Sequence, residues 1–113
     1  MDSKYSIKSN SDFRRLYSKG KSAVTPYLVL YSMKNRNNIS RVGFTVSAKL
    51  GHAVKRNRTR RQFREIYRLN SNVIKPGNDI IVVARSRAID CEYALLEKSF
   101  LEALRELNLI NTL

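Results

Sequence analysis

The sequence predicts one α/β domain, a two-layer sandwich in which a small mixed sheet of about four strands packs with three helices. Three observations predict it. The runs Tyr27-Leu-Val-Leu-Tyr31, Arg41-Val-Gly-Phe-Thr-Val-Ser47 and Asp79-Ile-Ile-Val-Val-Ala-Arg85 are rich in β-favouring residues. Three other stretches repeat apolar side chains every three or four residues, the helical period. The chain has 113 residues, 42% of them apolar, enough for one core.

A first short helix is expected over residues 12–19. Asn10 or Ser11 can cap it, and Gly20 sits where a C′ glycine would. Phe13, Leu16 and Tyr17 fall on one face. A strand follows from Tyr27, then a loop over 34–40. In the next run Val42, Phe44 and Val46 share one side. These two runs are expected as a hairpin or as near neighbours in the sheet. Residues 49–53 form a connector to a strongly basic helix over 55–68. Pro76-Gly77-Asn78 is a turn signal. The following apolar run, lacking alternation, predicts a central strand buried on both faces. A last helix is expected over about 91–107, with Asp90 as N-cap and Glu92 in the first turn. Its stripe is Leu96, Phe100, Leu104 and Leu107, with Tyr93 and Leu101 beside it. No repeat, low-complexity tract or linker interrupts the chain.

Net charge is +13, from 22 Lys and Arg against 9 Asp and Glu. Such an excess repels itself unless a polyanion neutralises it, so a nucleic acid is the economical partner. Residues 1–89 carry 20 basic and 4 acidic side chains, and 90–113 carry 2 and 5. The C-terminal segment is therefore expected to lie away from the partner. No apolar run is long enough for a membrane helix, and Met1-Asp2-Ser3-Lys4-Tyr5 lacks a signal-peptide core. The single cysteine, Cys91, has no internal partner, in keeping with a reducing, cytoplasmic compartment.

Seven of the fourteen residues from 55 to 68 are Lys or Arg, six of them Arg, and one is acidic. At about 100° per residue, Arg56, Arg60, Arg64, Arg68, Arg61 and Asn57 fall within an arc of roughly 140°. Thr59, Phe63, Ile66 and Leu69 fall opposite, and Tyr67 borders the basic arc. One face can thus bury on the sheet while an arginine ridge meets solvent. Arginine's planar fork grips two phosphate oxygens at once and stacks on bases. The competing explanation, a salt-bridged solvated face, needs acids at i+3 or i+4, and only Glu65 is available, opposite Arg61 and Arg68. A second surface is suggested by Phe13, Tyr17, Tyr27 and Tyr31 beside Lys49 and Arg85. Single strands are commonly held by aromatic stacking in a positive groove, although ordinary core packing explains each aromatic alone.

No catalytic constellation is legible. His52 is the only histidine, and metal-ligand spacings are lacking. Asp12, Glu65 and Asp79 do not suggest a two-metal carboxylate cluster. Several readings stay open on this footing. One is a structural or ribosomal RNA-binding protein, and another is a subunit assisting a catalytic partner. A self-contained nuclease lacks acid–base residues. A DNA-binding helix-turn-helix would need a helix where the β-rich 42–47 stands.

The run from Arg41 to Glu65, with Gly51-x-Ala53-Val54-x-Arg56-Asn57-Arg58 followed by Arg60-Arg61 and Arg64-Glu65, closely resembles the bacterial ribonuclease P protein component family. Asp12-Phe13, Tyr17, Lys19-Gly20, Leu28-Val-Leu-Tyr31 and the Asp79 run extend the resemblance to about residue 88. It implies a small protein cofactor of a catalytic RNA. Together they would cut the 5′ leader from precursor tRNA with Mg2+ used by the RNA, leaving a 5′-phosphate. It also implies a left-handed βαβ crossover around the basic helix, against the right-handed default. By the same resemblance, Arg56, Asn57, Arg58, Arg60, Arg61 and Arg64 face the RNA subunit, and Arg68 extends their ridge. Phe13, Tyr17, Tyr31, Lys49 and Arg85 line a leader cleft. The implied partners are the catalytic RNA and precursor tRNA, with no membrane, small-molecule substrate or protein-bound metal.

Overall fold

The computed structural model describes residues 5–110, so the leading Met1-Asp2-Ser3-Lys4 lies outside the described residues. Seven main elements follow in order: α1 (Asn10–Lys19), β1 (Lys21–Val24), β2 (Leu28–Lys34), β3 (Arg41–Thr45), α2 (Ala53–Asn70), β4 (Asn78–Ala84) and α3 (Tyr93–Glu106). The four strands form one mixed sheet in the order β1-β2-β4-β3. β4 is antiparallel to β2 and parallel to β3, and its side chains are buried on both faces as the unbroken apolar run predicts.

Strand alternation divides the sheet into two faces. Leu28, Leu30, Val42, Val46, Ile80, Val82 and Ala84 point one way, into a core closed by Phe63 and Ile66 of α2 and by Leu96, Phe100 and Leu104 of α3. These two helices form the second layer. Tyr31, Met33, Ile81 and Val83 point the other way, and α1 covers part of that face through Leu16, which is fully buried with Ile7 and Ile81.

Several expectations are corrected. Of the two arrangements expected for the runs from Tyr27 and from Arg41, the hairpin is excluded and they are near neighbours in one sheet. β4 is inserted between them, because only a strand apolar on both sides tolerates the centre. The hairpin partner of β2 is β1, which is too short and polar to stand out. Its register sets Ala23 opposite Leu30. The cap of α1 is Ser9, whose Oγ accepts from the Ser11 N–H at 3.2 Å, rather than Asn10 or Ser11. Gly20 ends α1 without a left-handed turn. It is needed for space, since a Cβ there would sit 2.5 Å from the Leu16 carbonyl oxygen that accepts its own N–H. Asp90 does not cap α3. It adopts φ 63° and its carboxylate accepts from Lys55 Nζ at 2.8 Å, while Glu92 holds the cap position. Leu69 is exposed at 52%. Tyr67 joins Thr59, Phe63 and Ile66 in the buried face, whose centre then lies roughly 100° from Leu69 at about 100° per residue.

A buried ion pair ties the start of the parallel strands. Arg41 Nε and Nη2 donate to Asp79 Oδ1 at 2.9 Å and Oδ2 at 2.7 Å, and Asn35 Nδ2 donates to Oδ1 at 2.9 Å. Burial of Asp79 opposes its ionisation, but those hydrogen bonds and the charges of Arg41 and Arg15 prevail and hold the carboxyl below its ordinary range. The hydrogen bonds to Asp79 raise Arg41 in turn. Asp12 of α1 reaches the same guanidinium at 3.5 Å, so α1, β3, β4 and the 35–40 loop meet at one charged node.

Candidate nucleic-acid interface

α2 leaves the sheet through the 3-10 turn Ala48–Leu50 and starts at His52, which is exposed and makes no side-chain cap. Packing of its Thr59, Phe63, Ile66 and Tyr67 face turns the expected ridge outward. Arg56 donates Nε to the Gly51 carbonyl at 3.0 Å, and Arg60 donates Nη1 to Asn57 Oδ1 at 2.8 Å. Both acceptors are neutral, so both guanidinium charges stay uncompensated. Arg61 and Arg64 are exposed and have no carboxylate partner among the described residues. Arg68 differs, since it forks onto Glu65 at 3.0 and 2.6 Å. The hydrogen bonds from Arg68 hold the Glu65 carboxyl below its ordinary range, so it remains the counter-charge at neutral pH. The structure therefore divides the predicted ridge. Arg56, Arg60, Arg61 and Arg64 offer free charge, and Arg68 is neutralised locally. Arg58 stands apart, roughly 130° around the helix from the ridge centre at about 100° per residue.

Arg60 and Arg64 flank the outer edge of β3. Sequence patterning misses what covers that edge. Ser6 pairs with Val42 as a parallel bridge, and the Ile7 N–H donates to the Val42 carbonyl at 2.9 Å. A single bridge is too short to give a strand period. A shallow concavity of about 360 Å³ lies between this segment, β3 and the two arginines.

The aromatic surface lies on the other face. The Tyr17 and Tyr31 rings meet edge to face with centroids 4.9 Å apart, and Phe13 lies 6.2 Å from Tyr17. Tyr17 is 42% exposed, and its hydroxyl is 3.2 Å from Thr45 Oγ1. Phe13 and Tyr31 are half-buried against Leu16 and Ile81. Gly43 leaves room for the Phe13 ring, since a Cβ there would come within 2.8 Å of its Cζ. The cross-strand registers lay out rows on this face. Tyr31, Ile81 and Gly43 lie under α1, and Val29, Val83 and Thr45 form the next row towards the strand ends. Because β3 and β4 are parallel, Lys49 and Arg85, just beyond their C-terminal ends, come to the same edge of the sheet. Arg85 donates Nη1 to the Thr25 carbonyl at 2.8 Å. Tyr27 does not join this surface; it packs on the main core with Arg87 6.0 Å from its ring centroid. Thr45, missed in the sequence, belongs to this aromatic face, with its hydroxyl beside that of Tyr17. Its outward position in the β3 alternation is the signal that could have found it.

Burial and the nearby Glu92 push the Cys91 thiol up, and the side chain packs on the main core. Among the described residues, no group of three His, Cys, Asp or Glu could hold a metal ion. No helix among them is long and apolar enough to cross a membrane.

Both the sequence and the fold have counterparts among known proteins. A family model described as Ribonuclease P matches residues 1–108. The chain belongs to the ribonuclease P protein family. The ribonuclease P protein component of Alkaliphilus oremlandii is 44% identical over 106 residues, covering 94% of this chain and 93% of the relative. That of Clostridioides difficile is 48% identical over 94 residues, covering 82% of each. Among solved structures, the Staphylococcus aureus RNase P protein superposes with a TM-score of 0.86 at 37% identity, covering 95% of this chain and 98% of that one. The Thermotoga maritima RNase P protein gives 0.78 at 33%, covering 85% and 91%. The mixed four-stranded sheet with three helices is thus the ribonuclease P protein fold.

Proposed function

We propose that this chain is the protein subunit of a ribonucleoprotein endoribonuclease that matures tRNA 5′ ends in the cytoplasm. In this reading α2 docks on the catalytic RNA through Arg56, Asn57, Arg60, Arg61 and Arg64, with Arg58 and Arg68 contributing from the flanks. The face carrying Phe13, Tyr17, Tyr31, Lys49 and Arg85 holds the single-stranded leader of precursor tRNA. The observation that carries it is the separation of two unlike surfaces. One is a helix of uncompensated guanidinium groups, suited to phosphates in folded RNA. The other is an aromatic patch between cationic ends, suited to unpaired bases.

Magnesium-dependent hydrolysis is assigned to the RNA. The acids nearest the aromatic face do not suit a metal, since Asp12 and Asp79 are both engaged by Arg41. The protein's role is electrostatic and positional. It offsets repulsion between two RNAs and fixes the leader, so less magnesium is needed. The test is reconstitution with a bacterial ribonuclease P RNA at low magnesium. Addition of the chain should restore leader removal, and the purified chain alone should cleave nothing. Cleavage by RNA-free protein would refute the assignment, and so would indifference of the RNA to the chain. Recovery of ribosomal RNA instead, in a pull-down from cells, would favour a structural RNA-binding role.

A further inference from the structure

α2 buries Tyr67 on the flank that carries Arg60 and Arg64. The residue is 7% exposed, with its ring edge-on to Phe44 at 6.3 Å between centroids. A tyrosine this buried ordinarily hydrogen-bonds its hydroxyl. Here the hydroxyl has no partner among the described residues. It is not sealed either, since the one sealed and unpaired side-chain polar atom among them is the Tyr93 hydroxyl. The hydroxyl is therefore accessible, and the Tyr67 side chain lines a groove. That groove holds about 570 Å³ between α2 and the 35–40 loop, within the ~300–1,000 Å³ of small-ligand clefts. Ile39, 40% exposed, and Pro76 give it apolar walls, and Arg64 stands at its rim beside the paired Arg68 and Glu65. Burial pushes the Tyr67 phenol up, so it stays protonated and able to donate at neutral pH.

We infer that this groove receives one unstacked nucleobase of the RNA on which α2 docks, with the Tyr67 hydroxyl bonded to the base edge and Arg64 on the adjoining phosphate. Charge selects the occupant. Among the described residues Arg64 has no carboxylate partner, the Glu65 carboxylate in the same groove being engaged by Arg68, and it is continuous with the ridge, so the anion it takes at the groove mouth belongs to the same polyanion. The part of a nucleotide that fits an apolar slot behind that anion is its planar, uncharged base. One unmet hydroxyl then reads the base edge, as isolated hydrogen-bonding groups in apolar pockets set orientation. The inference rests on the docking role proposed for α2.

The test uses Tyr67→Phe, which removes only the unpaired hydroxyl, and Ile39→Ala on the exposed loop. Each is assembled with a bacterial ribonuclease P RNA and probed for affinity, salt dependence and base-specific chemical modification. Tyr67→Phe should weaken binding roughly two- to tenfold, the range for one hydrogen bond. The salt slope should stay constant, because no phosphate contact is lost. One unpaired base, protected by the wild-type chain, should become reactive again in both variants. If both variants bind and protect as wild type while Arg60→Ala with Arg64→Ala weakens binding, the base site is wrong and the docking role stands. If the arginine pair has no effect, the docking role itself fails.

Discussion

The division of α2 into free and neutralised arginines makes a quantitative forecast for salt dependence. Each phosphate neutralised by a cation releases counterions, which lowers the log–log salt slope by about 0.9 for duplex and 0.7 for single strands. Among the described residues Arg60 and Arg64 carry uncompensated charge, since the one bonds only the neutral Asn57 and the other has no carboxylate partner. Replacing both by Ala should therefore flatten the slope by about 1.4–1.8. Arg68 is already balanced by Glu65, so Arg68→Ala should change the slope by much less than one contact. Glu65→Gln supplies the sharpest sign. It releases the Arg68 charge without touching the ridge, so binding should tighten and the slope should steepen by up to about 0.9. The assay is equilibrium binding to a bacterial ribonuclease P RNA over a series of monovalent salt concentrations. Weaker binding by Glu65→Gln, or equal losses for Arg68 and Arg64, would refute the reasoning that local pairing decides which arginines serve the RNA.

Three further outcomes are expected. Tyr17→Ala should lower the preference for precursor over mature tRNA by about 1–3 kcal/mol, the worth of one stacked base, without weakening RNA-subunit assembly; paired affinity measurements check this. Tyr17 is the cleaner probe than Phe13, because Phe13 also packs in the core under α1. Gly43→Ala should destabilise the fold by about 1–3 kcal/mol in thermal unfolding, since the new methyl meets Phe13 at 2.8 Å; an unchanged melting temperature would show that α1 yields freely. Asp79→Asn should cost about 2–3 kcal/mol at neutral pH, because it breaks a buried charge pair that Asp12 compensates only in part. The Asp79 carboxyl is held below its ordinary value, so its stabilisation is full above the unfolded-state pKa near ~3.9 and fades as pH falls through the folded value. Acid titration of stability should accordingly be steeper in the wild type than in Asp79→Asn.

Features with a long period were legible in the sequence. β4 announces itself by five consecutive apolar residues, and α2 by a charge arc that persists over four turns. Features fixed by only one or two contacts were not. Asp90 has a good capping side chain, but Lys55, 35 positions away, competes for it. The order of strands depends on which strand can be buried twice, so the sequence leaves β2 and β3 as either a hairpin or near neighbours, and the position of β4 decides between them. The candidate site divides the same way. The ridge follows from periodicity alone. The aromatic face needed the registers that bring Tyr31 beneath α1 and Thr45 beside Val83. Which arginines are spent on Glu65, and that Tyr67 lines a groove, are facts of side-chain packing that no period encodes.

The central position of β4 also governs how the protein comes into being. β2 and β3 share no hydrogen bonds with each other, and both are completed only by a strand that ends at Ala84. During synthesis, α1, β1, β2, β3 and α2 all leave the ribosome before the strand that unites them. Closing the sheet means forming contacts far apart in sequence, which is slow compared with helix formation. Until then the nascent chain is a highly cationic, unassembled polymer beside the RNA of the ribosome. The aromatic face, whose rows run through β2, β4 and β3, is completed only when β4 inserts, whereas the arginine ridge belongs to α2 alone and precedes it in the chain.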